Sequence, residues 1–199
     1  AHDAFGYASS GLAYRIDLPP HGRRGVQLVI PLSGGMVRPD MHRMSAQAWV
    51  ARQRRITATA WRQKLNRVSL RVPATAQPRG HALRTSLGHI LMTRDGPILR
   101  PGTRSYARSW IRDGAMIAES LLRLGDAGAA AEYLRWYAPY QFASGKVPCC
   151  VDRRGADPVP ENDSGGEFIF LAAETYRYTH DRALLEAMWP HVRAAARYL

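Results

Sequence analysis

Two short stretches of this chain gather side chains able to hold and act on a polar ligand. The first reads Ser105-Tyr106-Ala107-Arg108-Ser109-Trp110-Ile111-Arg112-Asp113 and sets aromatic rings, guanidinium groups and a carboxylate side by side. An aromatic face can stack on a sugar ring, an arginine fork can donate to its hydroxyls, and a carboxylate can accept from them. The same residues also suit an exposed Arg112/Asp113 pair at a helix start, where the helix dipole favours Asp. The second stretch reads Asp157-Pro158-Val159-Pro160-Glu161-Asn162-Asp163-Ser164-Gly165-Gly166-Glu167-Phe168. Asp157, Glu161 and Asp163 are stiffened by two prolines and followed by two glycines, so the loop presents carboxylates at a set place. Glycosidic cleavage needs such a pair, one to protonate the leaving oxygen and one acting on the opposite face. A plain helix start is the competing reading, with Asp163 or Ser164 as cap and Glu167 closing a capping box. Glu161 lies upstream of that cap and is free for chemistry in either case.

Helices must position these loops. From about residue 78 the apolar period is 3.6. Leu83, Leu87, Ile90 and Leu91 mark a first helix, and Trp110, Ile117, Leu121 and Leu124 a second. Ala130, Tyr133, Leu134 and Tyr137 mark a third, Phe168, Leu171, Ala172, Thr175 and Tyr176 a fourth, and Leu184, Leu185, Met188, Val192 and Ala195 a fifth. The second and third are joined by Gly125 and Asp126, the fourth and fifth by Thr179, His180 and Asp181. Long connections, residues 95–107 and 140–162, precede the second and fourth instead. Short links at one end and long loops at the other are what stacked helical hairpins produce, with function on the long loops.

The first third of the chain reads differently. Residues 11–18 alternate apolar and polar, Pro19, Pro20 and Gly22 interrupt, and Val26 to Leu32 is rich in β-formers, which together predict two strands. Residues 41–54 predict a helix around Trp49, and residues 67–73 a further strand or extended segment ending at Pro73.

Taken together, Trp110-x-Arg112-Asp113 at one helix start and Glu161 seven residues before Phe168 at the next but one resemble the glucoamylase-like family among the six-hairpin (α/α)6-toroid glycosidases. The strings Ser105 to Gly114 and Gly145 to Ser164 resemble bacterial members of that superfamily in which a β-sandwich precedes the toroid. The resemblance implies a mainly α fold. Residues 1–35 would end a β-sandwich, 36–77 form a linker with a helix and a strand, and 78–199 supply about five helices of the toroid. It further implies a glycoside hydrolase, of inverting type, with Glu161 as general acid and Trp110, Arg112, Asp113 and Asp163 binding substrate. The family's general base would lie beyond this segment, which by itself should be inactive. A phosphorylase of the same fold, or a carbohydrate-binding toroid without catalysis, is the alternative.

Composition bounds the remaining classes. The chain has 199 residues, 46% of them hydrophobic, enough for a packed core. Its longest apolar runs fall well short of the roughly 18 to 20 residues that span a bilayer. Absence of an initiator Met and of a signal-like start suggests a piece of a longer protein. The net charge of +12 raises the question of nucleic acid, but the excess lies wholly in residues 1–100, with 16 basic and 4 acidic side chains. Only Lys64 and Lys146 are lysine, a bias that a GC-rich genome produces without selection. The densest cluster, Arg52, Arg54, Arg55, Arg62, Lys64 and Arg67, reads as a solvated helical face or as one packed against acidic chain outside this segment. No nucleic-acid partner, membrane partner, metal or cofactor is therefore expected, and a carbohydrate is. Cys149 and Cys150 are adjacent, which excludes a disulfide framework and favours a cytoplasmic setting slightly. They lack His or Cys partners at zinc-binding spacing and read as small buried hydrophobes.

Overall fold

Apolar side chains three and four residues apart cover one face of each of four helices that pack together in the computed structural model, which describes residues 11–30 and 44–199. On α3 (Ile111–Arg123) the buried face is Ile111, Gly114, Ala115, Ala118, Leu121 and Leu122. On α4 (Ala127–Tyr137) it includes Ala130, Tyr133, Leu134 and Tyr137. On α5 (Ser164–Thr179) it includes Phe168, Leu171 and Thr175, and on α6 (Arg182–Tyr198) Leu184, Met188 and Ala195. Helix α3 packs against both α4 and α5, α4 also against α5, and α6 against α5. The links within the two hairpins are as short as the sequence predicts. One turns through Gly125 at a φ of +80°, the other through His180 at +52°.

The start of α6 is fixed locally. The Leu184 amide donates to the Asp181 carboxylate at 2.9 Å, an N-cap. Asp181→Ala should therefore lower stability by about 1 kcal/mol in denaturant titration, whereas Asp181→Asn should keep most of it. Equal loss in both variants would place the effect in the Arg135 ion pair that Asp181 also makes, at 3.3 Å.

The chain divides into two compact units, Ala1–Thr59 and Ala60–Leu199. In the first, residues 11–30 contain no strand, and a turn closed by Gly22 donating to the Pro19 carbonyl at 2.8 Å is their one backbone hydrogen bond among the described residues. This corrects the expected strands over 11–18 and 26–32, of which positions 31 and 32 lie outside the described residues. Alternation supplies a face to bury, but a strand also needs a partner edge, and none pairs with these segments among the described residues. The β-sandwich remnant is accordingly not seen there. Helix α1 (Ala46–Leu65) starts later than the helix expected over 41–54 and runs eleven residues further; positions 41–43 are not described. Its basic residues are solvent-exposed, and it buries none of its side chains.

In the second unit, residues 67–73 are likewise not a strand. Arg67 instead pairs with Asp126, so this segment is held by side chains against the α3–α4 turn and not by a ladder. Helix α2 (Gln77–Thr93) opens with Pro78 in its first turn, where a missing N–H costs nothing. Altogether 59% of the described residues are helical, in six α-helices and a few short 3-10 turns. One three-stranded antiparallel sheet accompanies them: β1 (Ser109–Trp110), β2 (Cys150–Asp152) and β3 (Gly155–Ala156), in that order.

Candidate functional site

This small sheet is what joins the two chemically loaded stretches. Ser109 faces Val151 and Trp110 faces Cys150, and the Ile111 amide then donates to the Cys149 carbonyl at 3.0 Å. Trp110, expected to be the first residue of a helix, is thus a strand residue that caps α3. From this seam two arginines, one on each side of Trp110, reach across to the second stretch.

Arg108 pairs with Asp157, and its Nε stands 3.1 Å from Asp152 Oδ2, too poorly aimed to be a hydrogen bond. Arg112 donates through Nη1 to Glu161 Oε2 at 3.0 Å and to Asp163 Oδ2 at 2.6 Å. Asp163 is the N-cap residue of α5 but makes no side-chain cap bond. A charge-assisted bond to guanidinium outcompetes a backbone cap here. The side chains of Arg112, Glu161 and Asp163 remain 43%, 32% and 39% exposed. At that exposure ion pairs contribute little to stability, so the significance of the cluster is positional.

The electrostatics follow from the contacts. Asp163 and then Glu161 hold the Arg112 guanidinium proton more firmly than usual. Arg108 keeps the Asp157 carboxyl below the ordinary carboxylate range, and Arg154, with help from Arg108, pulls Asp152 down to about 2. Carboxylates with depressed values stabilise the fold above their unfolded pKa of about 3.9 and lose that contribution as pH falls through the folded value. The Arg108–Asp157 clasp should therefore weaken as pH falls below about 4. Arg108 Cζ lies 5.6 Å from the centre of the Trp110 ring, so the weakening should change tryptophan emission below that pH. An identical change in Arg108→Gln would remove the clasp as its cause.

Helix α4 supports both stretches from beneath. The buried Tyr133 hydroxyl donates to the Trp110 carbonyl at 3.4 Å and accepts from Ser109 Oγ at 3.2 Å. Ser109 Oγ also reaches the Leu99 carbonyl at 2.8 Å. The Tyr137 hydroxyl donates to the Pro148 carbonyl at 2.9 Å. Burial pushes both phenols far up, so they remain donors at any working pH.

Of the residues expected to form a site, the structure brings together Arg112, Glu161 and Asp163. Trp110 adjoins them through the chain and forms a shelf with Tyr106, their rings 6.3 Å apart. Asp113 is not brought to the cluster. It lines a separate hollow of about 340 Å³ with His89, Thr93, Arg100 and Met116. A single step along the helix explains this, because neighbouring residues on α3 project about 100° apart.

Two participants were missed in the sequence. Glu167, weighed there only as a capping-box residue, is half-buried, and burial followed by the charge of Asp163 pushes its carboxyl up, against the opposing pull of Arg112. Its spacing of four from Asp163 on a helix was the available signal. Arg108, the other, carries no motif of its own, and its role needs both loops in place. Asp163 Oδ1 and Ser164 Oγ are shielded from solvent without a hydrogen-bond partner among the described residues. Asp163 Oδ1, on the carboxylate that Arg112 holds, is thus an acceptor that no described residue satisfies. The chain matches no protein-family model, no curated protein and no solved structure.

Proposed function

We propose that the protein is a carbohydrate-active enzyme of the glycoside hydrolase class, and that α3 to α6 are two hairpins of an (α/α)6 toroid. The observation that carries the reading is Arg112 holding Glu161 and Asp163 together at the N-terminal ends of two packed helices. In that reading the Tyr106 and Trp110 shelf stacks a sugar ring, and Arg112 and Asp163 take its hydroxyls. Glu161 delivers the proton to the leaving glycosidic oxygen. Glu161 must first leave Arg112 and take up a proton from solvent, because only a protonated carboxyl can donate to the leaving oxygen. The electron pair of the broken bond leaves with the protonated oxygen, and water adds to the anomeric carbon from the opposite face, giving its proton to the general base that the remaining hairpins of the toroid would supply.

The test is incubation of the complete toroid that this reading implies, general base included, with a panel of α- and β-linked oligosaccharides, reading the anomer released by proton NMR. Release of the inverted sugar supports the reading; no release across the panel opposes it. A second reading, carbohydrate binding without cleavage, draws on the ion pairing itself, because Arg112 flanked by two carboxylates can hold hydroxyls and transfer nothing. It is distinguished by glycan binding that Arg112→Ala abolishes while no sugar is ever released.

A further inference from the structure

Beyond that site, the turn of chain beneath Trp110 places three potential metal donors together. Cys149 Sγ and Cys150 Sγ are 3.5 Å apart, and Cys150 Sγ is 3.8 Å from Asp157 Oδ2. One ligand atom from each of the three residues fits within 4.8 Å of the others. Both cysteines are free and buried, whereas the Asp157 side chain is 20% exposed, so the group has one open side. Metal–sulfur bonds of about 2.3 Å in tetrahedral geometry put two sulfurs on one ion about 3.8 Å apart. The two thiols already stand close to that spacing without a bond between them.

We infer that Cys149, Cys150 and Asp157 form a site for a single thiophilic divalent cation of the zinc class, with the fourth coordination position open toward solvent.

The charge balance supports this choice of ligand. Binding exchanges two thiol protons for one doubly charged ion, which becomes bonded to two thiolates and the Asp157 carboxylate while the protons pass to solvent. Local charge is unchanged, with Arg108 still offsetting Asp157. Hard cations such as magnesium and calcium prefer an oxygen shell, and the two sulfurs exclude them. Spacing rules miss the site because the third donor is a carboxylate seven residues on, returned by the β2–β3 hairpin, where the Asp157 amide donates to the Cys150 carbonyl at 2.9 Å. Asp157 also lies four residues before Glu161, so the bound ion would brace the loop that carries the acid.

Titration of the whole chain with Cd2+ tests the inference through the thiolate-to-metal absorption band in the near ultraviolet. One ion per chain is expected, with about two protons released per ion in weak buffer. The band should vanish in Cys149→Ala and in Cys150→Ala, and Asp157→Asn should weaken binding at least about tenfold. Far-UV circular dichroism identifies any variant that has failed to fold. Since Asp157→Asn leaves both buried thiols in place, it carries the test if either cysteine variant unfolds. No thiolate band at one equivalent, or binding unaltered in Asp157→Asn, overturns the site. Neither result depends on glycoside cleavage.

Discussion

In the complete toroid that the proposed function implies, Glu161→Gln should lower turnover by about 10² to 10⁴, the usual value of a positioned general acid, with little change in KM. Glutamine keeps the shape and can still accept from Arg112, so the guanidinium stays on Asp163 and the loop stays in place. What disappears is the proton for the leaving oxygen. Asp163→Asn should behave differently. Asp163 makes the shorter bond to Arg112, at 2.6 Å against 3.0 Å; if, as proposed, it holds substrate in ground and transition states alike, KM should rise with a smaller fall in kcat. Glu167→Gln completes the comparison. Its half-buried carboxyl, raised by burial and by Asp163, is the other group near Arg112 suited to carrying a proton. A Glu161→Gln protein within about threefold of the parent, beside an inactive Glu167→Gln, would move the acid onto α5. If Asp163→Asn alone were inactive, the acid would lie at the helix cap.

Gly114→Ala should destabilise the protein by about 2 kcal/mol, although alanine is the better helix former by about 1 kcal/mol. A methyl group at position 114 would run into the ring and hydroxyl of Tyr133 on the facing helix. Tyr133 cannot move aside. It is wholly buried, its ring lies against Trp136 and Tyr137 with centroids 5.9 Å and 5.6 Å away, and its hydroxyl is committed to Ser109 and Trp110. The strain therefore passes into the β1 seam, and with it into Arg112. Denaturant titration with parallel tryptophan spectra checks both parts of the expectation. A Gly114→Ala protein as stable as the parent would mean that α3 and α4 do not approach as closely as this contact requires.

The sequence by itself determined helices α3 to α6, because each buries one apolar face at a period of 3.6 and periodicity is a local property. It also pointed to Arg112, Glu161 and Asp163, since chemically loaded loops before helices stand out from composition and spacing. Alternation misled it at 11–18 and 67–73, where a face suited to a strand has no partner edge among the described residues. Tertiary structure decided what depends on distant pairing. Strands of two and three residues leave no pattern in the sequence, yet β1 and β2 bring residues 109–110 and 150–152 together and make a single site of two loops. The rotation of α3 took Asp113 into a separate hollow while Arg112 reached Glu161. Arg108 became a clasp, and Asp157 a neighbour of two cysteines, only because a hairpin turned the chain back. Such contacts are set by packing of elements far apart along the chain, and no local pattern of residues encodes them.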